Sequence, residues 1–275
     1  MSRKKAPAPQ WRECIDKWIE TLQAGSLSAL SVDTRRRQLT KLSNDLRGSP
    51  QNVTAEELVH WFAAGNWKPE TRKGYRNAAS SFFGWLYRSG RAEQDISKDL
   101  PSIRRPHAHP RPCPDRVILV ALSKANETEM LMIRLAAECG LRRAEIAQVR
   151  SDDVMDDLLG RTLIVHGKGG KQRLVPLPDD LAQKIIDRHG WLLPGRWSGH
   201  VEASYVGKHI ARLLGGEWTA CSLRHRYATM IYQETHDLYL VSRLLGHESV
   251  ETTQRYVAMP DSRLRAALAG ARLVS

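Results

Sequence analysis

Two arginines, a lysine, a histidine and a tyrosine in the second half of this 275-residue chain sit beside signals that would present them at the ends of elements. In Cys139-Gly-Leu-Arg-Arg-Ala-Glu-Ile146, Arg142 follows a helix stop and Glu145 lies one turn further on. A guanidinium so placed can fork two non-bridging phosphate oxygens; an Arg–Glu pair on a surface helix is the plainer alternative. Gly167-Lys-Gly-Gly-Lys171 lacks the spacing of a P-loop and joins two strand-like segments instead of opening a helix. Lys168 on that tip can swing over a bound phosphate as a cation and proton donor; a solvated turn would use the same residues. Ser222-Leu-Arg-His-Arg-Tyr-Ala-Thr229 puts Arg224 and Tyr227 near one face, and His247 stands nine residues before Tyr256. A tyrosine with a pKa of about 10 is a poor nucleophile unless cations lie close to it. Two arginines, a lysine and a histidine would supply them.

The elements that must position these residues fall into two groups. Pro101 to Pro114 holds five prolines in fourteen residues, so neither helix nor central strand runs through it. It reads as a stiff linker, 101–114, between a domain of residues 1–100 and one of residues 115–275. The first domain reads as all helix: Trp11 to Leu22, Ser31 to Leu46, a start at Thr54-Ala-Glu-Glu57, and a fourth helix from Lys68 ended by Gly90. Its aromatic residues fall on the apolar stripe and belong to a core. The second domain is mixed. Helices are expected at Leu131–Glu138 and Arg143–Arg150, then a β-hairpin of Thr162–His166 and Gln172–Leu177 with the glycine-rich tip. After Asp179 everything reads as helix, with Arg263–Ala271 as the last.

Net charge is +12. Residues 1–115 carry 20 basic and 12 acidic side chains, against 22 and 18 in the remainder. The excess clusters at Arg35-Arg36-Arg37, at Arg72, Lys73 and Arg76, and at Arg104-Arg105, off the apolar stripe, where a DNA backbone could reach them. The longest apolar run, Val117 to Leu122, is far too short to span a membrane. Cys14, Cys113, Cys139 and Cys221 are widely spaced, which argues against a zinc site or a disulfide framework and fits a reducing compartment.

Together these motifs resemble the tyrosine recombinase family, the integrases and Xer-type site-specific recombinases. GLRRAE, HGKGGKQRLVPL, LRHRYAT and LLGHESVETTQRY follow the family's order and approximate spacing, most strongly from Ala136 to Tyr256 and in outline over almost the whole chain. The resemblance implies Arg142 and Arg224 as the catalytic arginines and Glu145 as a supporting carboxylate. Lys168 would protonate the leaving 5′-oxygen, His247 would be the later active-site histidine, and Tyr256 the nucleophile. One position departs: Cys221 stands where the family has the histidine of His-x-x-Arg, and a thiol is a weak donor.

The fold implied is mainly α with a small β-hairpin or sheet: a helical core-binding domain and an α+β catalytic domain, forming a clamp around DNA and ending in an exchange helix. The partners implied are double-stranded DNA attachment or core sites and further copies of the chain, monomeric when free and tetrameric on DNA. The resemblance implies neither metal nor nucleotide cofactor, and work on the nucleoid in a bacterial cytoplasm. A helical core beginning near Trp11 leaves no room for an arm-binding N-terminal domain, so a short integrase of a phage or mobile element is the expectation. An Xer-type resolvase of chromosome or plasmid dimers, a non-catalytic DNA-binding relative, and a DNA-relaxing or hairpin-forming enzyme are the alternatives.

Overall fold

Trp11, Ile15, Trp18 and Ile19 recur at helical spacing and are all buried on one face of α1 (Pro9–Ala24). Alongside lie α2 (Ala29–Asp45), α3 (Ala55–Ala64) and α4 (Pro69–Arg88), which bury Leu39, Leu58 and Phe82 in the same core. Phe82 stacks on Trp11 at 5.6 Å between ring centroids and meets Trp18 edge-on at 5.6 Å. Each buried side chain of this size contributes about 1.5–3 kcal/mol. These aromatics are therefore core, as their place on the stripe required. Thr54 and Glu57 close a capping box at the start of α3, and Pro69 occupies the first turn of α4, where its missing N–H has no helical partner to lose.

The computed structural model describes residues 6–46, 48–103, 110–247, 253 and 257, with Lys168 described by its backbone alone. The chain divides into two compact units, Met1–His107 and Ala108–Ser275. Arg104, Arg105, Tyr256 and the expected helix at 263–271 lie outside the described residues. Among the described residues, no helix is long and apolar enough to cross a membrane.

The second unit is built on α6 (Glu127–Ala137), whose Leu131, Met132, Leu135 and Ala136 are fully buried. Around it lie α5 (Asp115–Lys124), α7 (Arg143–Ala147), α8 (Asp179–Ile186), α9 (Ala203–Leu213), α10 (Ala220–Thr235) and α11 (Leu238–Leu245). A three-stranded antiparallel sheet of β1 (Val154–Asp157), β2 (Gly160–His166) and β3 (Gln172–Leu177) covers one side, with Leu163 between Val154 and Val175 on its inner face. The expected mainly α architecture with a small antiparallel sheet is thus observed.

Several boundaries differ from the sequence reading. The hairpin has a third strand, β1, whose Asp156 and Asp157 hide its strand character, as charge commonly does on an edge. The helix expected to reach Arg150 stops at Ala147, and Arg150 instead bridges to Trp191. The segment after Asp179 is not wholly helical: β4 (Pro194–Gly195) and β5 (Gly199–His200) form a short antiparallel ribbon. The apolar run at Val117 to Leu122 is part of α5, a helix beyond those expected from the sequence.

Candidate active site

The site begins where α6 ends. The chain turns at Gly140 with φ +64°, and a Cβ there would lie 2.4 Å from the ring of Tyr227. Glycine is needed for the backbone and for the space. Burial raises the Tyr227 phenol to about 12, so it stays protonated as packing. The turn delivers Arg142 to the N-cap of α7, where the Glu145 carboxylate receives both the Arg142 backbone N–H and its Nη1, each at 2.8 Å. A carboxylate in the first turn of a helix also meets the positive end of its dipole.

The other half of the site comes from the end of α11. Gly246, at φ +63°, closes the helix, and His247 N–H donates back to Ser242 O at 3.0 Å. Such an end leaves backbone carbonyls without helical donors, and here guanidinium groups take them. Arg173 Nε donates to Leu244 O at 2.9 Å, and Arg224 Nη2 to Leu245 O at 2.5 Å. Arg142 Nη1 approaches Leu245 O at 3.4 Å. Arg224 also donates to Gly140 O and is 2% exposed, so both chain turns grip the same side chain.

Three guanidinium groups therefore surround Glu145. Arg173 forks it at 2.8 and 2.9 Å, Arg142 holds one oxygen, and Arg224 lies 3.8 Å away. Burial by itself would raise the Glu145 carboxyl, but the Arg173 fork, the Arg142 N–H and the Arg224 charge outweigh it and hold the pKa at about 2. His247 Nε2 faces Arg224 Nη2 at 3.2 Å, and its Nδ1 faces Thr253 Oγ1 at 2.9 Å. A neutral ring protonated on Nδ1 satisfies both partners. Burial, then the charges of Arg224, Arg142 and Arg173, push His247 down to about 3, which keeps it neutral near pH 7. Among the described residues, one carboxylate against three guanidinium groups leaves a surplus of two positive charges. The Arg142 side chain, 41% exposed, opens that surplus to solvent.

Of the residues singled out from sequence, Arg142, Glu145, Arg224 and His247 are brought together here. Lys168 lies in the short turn between β2 and β3, as expected from the glycine-rich tip. Cys221 is exposed on α10, with Sγ 3.5 Å from His225 Nε2. His225 Nδ1 accepts from the Arg111 backbone at 3.0 Å, and burial followed by the Arg224 charge lowers it to about 4. The basic residues of the helical unit do not form one free set. Arg72 donates to Phe62 O and Gly65 O at 2.6 and 2.5 Å, and Arg76 to Leu100 O and Pro101 O at 3.0 and 2.8 Å. Arg36 pairs with Asp16 at 2.6 Å and Arg37 with Asp33 at 3.1 Å. Arg35 and Lys73 are half-buried. Sequence reasoning missed Arg173. The signal was available: it shares the strand face of Val175 and Leu177, both buried, so an inward-facing arginine was legible from the two-residue period.

Residues 116–263, more than half of the chain, match the model of the phage integrase family. Tyrosine recombinase XerC of Chromobacterium violaceum is 28% identical, with 94% of each chain covered. Tyrosine recombinase XerD of Brucella suis is 27% identical over 91% of this chain and 94% of its own length. Among solved structures, a lambda integrase tetramer bound to a Holliday junction shares the fold, with a TM-score of 0.74 at 15% identity over 90% of this chain and 76% of that one.

Proposed function

Because the chain belongs to the phage integrase family of tyrosine recombinases, we propose that it cuts and rejoins DNA at specific sites with Tyr256 as nucleophile and the Arg142–Arg224 pair as its phosphate cradle. The Tyr256 hydroxyl gives up its proton to solvent as its oxygen attacks phosphorus, the bond to the 5′-oxygen breaks, and a 3′-phosphotyrosyl link forms. Lys168 supplies a proton to the departing 5′-oxygen. The link keeps the phosphodiester energy, so a second 5′-hydroxyl rejoins the strand without a nucleotide. The observation that supports this reading is the surplus of two positive charges around Glu145 among the described residues. A phosphodiester brings one negative charge, and the five-coordinate transition state gains another. Fixed donors aimed at charge that grows during reaction are worth several kcal/mol. Arg35 and Lys73 in the helical unit are offered to the DNA backbone, and Arg36 and Arg37 can exchange a carboxylate for a phosphate. Arg72 and Arg76 serve the unit's own carbonyls.

DNA is thus the partner, and the lambda integrase tetramer supports assembly of several copies on it. The finer reading is a homotetramer that integrates and excises a phage or mobile element in a bacterial cytoplasm, on the nucleoid. A second reading, resolution of chromosome or plasmid dimers, is favoured by the XerC and XerD relatives that align along nearly the whole chain. A recombination site beside the gene supports the first; sites acting only as direct repeats within one circle support the second. The chemistry is tested with Tyr256→Phe on nicked suicide DNA carrying the mapped site. The variant should bind but form no covalent adduct, and an adduct from it would remove Tyr256 as nucleophile.

A further inference from the structure

Arg173 is given no contact with the phosphate in the reading above, yet its one side chain ties three elements of the site together. It lies on β3 facing inward with Val175 and Leu177, where an apolar side chain is the ordinary occupant. Its side chain is only 11% exposed. Three of its five N–H groups are used within the site: Nη1 and Nη2 fork the two Glu145 oxygens, and Nε takes Leu244 O. The partners lie 28 residues earlier and 71 residues later in the chain, so one planar group joins β3, α7 and the end of α11. A second observation points the same way. A Cβ on Gly246 would lie 2.8 Å from Arg173 Cδ, so the turn leading into His247 is seated directly on this side chain.

Each group thus held carries a residue of the proposed chemistry. Glu145 fixes Arg142 through two bonds, and the carbonyl after Leu244, that of Leu245, holds Arg224. We propose that Arg173 is a positioning residue for strand cleavage: its fork locks Glu145 to the end of α11 and so sets Arg142, Arg224 and His247 at one common geometry. The proposal rests on the reading that these residues and Tyr256 act on the scissile phosphate. A stabilising buried ion pair would need only the charge. Positioning needs the planar fork, which lysine cannot reproduce.

The test uses the full-length protein with Arg173→Lys, Glu145→Gln and the double variant, on nicked suicide duplexes carrying the mapped site. Single-site affinity, thermal melting and the rate of covalent adduct formation are measured for each. Arg173→Lys should form adduct at least about 100-fold more slowly, as small misplacements of reacting groups do. It should bind DNA within about threefold of wild type and melt cooperatively. Because Arg173 acts through Glu145, the double variant should be no more than about threefold slower than the slower single variant. Three results would each overturn the proposal: a wild-type rate for Arg173→Lys, loss of affinity or of cooperative melting in step with the rate, or fully multiplicative defects in the double variant. Tyr256→Phe runs beside them. An adduct from that variant would sink the parent reading alone, whereas a wild-type rate for Arg173→Lys with a silent Tyr256→Phe would sink only the positioning role.

Discussion

Replacing Glu145 by glutamine keeps the size of the side chain and removes a negative charge held among three guanidinium groups. The carboxyl is held at about 2 against an ordinary value of 4.5. One pH unit between folded and unfolded values is worth about 1.4 kcal/mol, so the ionised group stabilises the fold by about 3 kcal/mol at neutral pH. Breaking a buried pair by removing one partner falls in the same range, about 3–5 kcal/mol. For a domain of this size that is a drop of roughly 6–12 °C in melting temperature. The sign follows from a depressed carboxylate pKa. The unfolded chain binds the proton first, so the contribution is complete above about pH 5 and is lost as pH falls from there towards 2. Calorimetric melting of the full chain and of Glu145→Gln at pH steps from 2 to 7 measures this directly, because all other carboxylates are common to both proteins. The gap between the two should be widest at neutral pH and should close on acidification. A gap below about 3 °C at pH 7, or one that stays constant from pH 5 to pH 2, would refute the account of Glu145 as the charge that holds the arginines together.

Other changes bear on the same chemistry. Cys221→His, which supplies the imidazole that the resemblance implies for that position, should keep or raise adduct formation. Cys221→Ala should stay within about a hundredfold of wild type with folding intact, because a thiol contributes little hydrogen bonding; a larger loss would give the thiol a role of its own. Gly246→Ala forces a side chain into a left-handed turn and towards Arg173 Cδ. It should destabilise by about 1–2 kcal/mol and slow adduct formation, with DNA affinity unchanged; an unchanged rate would show that the turn tolerates movement. Truncation after Asp261 should leave single-site binding nearly intact and weaken recombination between two sites, and normal two-site recombination by the truncated chain would remove any exchange role for that tail.

Much of this was legible in the residues themselves. Local signals act within a few positions, so the capping box at Thr54 and Glu57, the proline start of α4 and the aromatic stripe of α1 each identified their element without help from the rest of the chain. The glycine-rich tip marked the turn between β2 and β3, and the stop at Gly140 marked the turn that presents Arg142. Strand β1 was not legible, because four residues ending in two aspartates carry no apolar alternation. Nor did residue type alone separate Arg72 and Arg76, spent on carbonyls of their own unit, from arginines offered to a partner. The arginine cluster was decided by tertiary structure. Glu145, Arg173 and Leu244 meet only after β3 has paired in register and α11 has docked beside it. The groups that hold Arg224 are backbone carbonyls, which every residue has and which only a folded chain aims at one guanidinium.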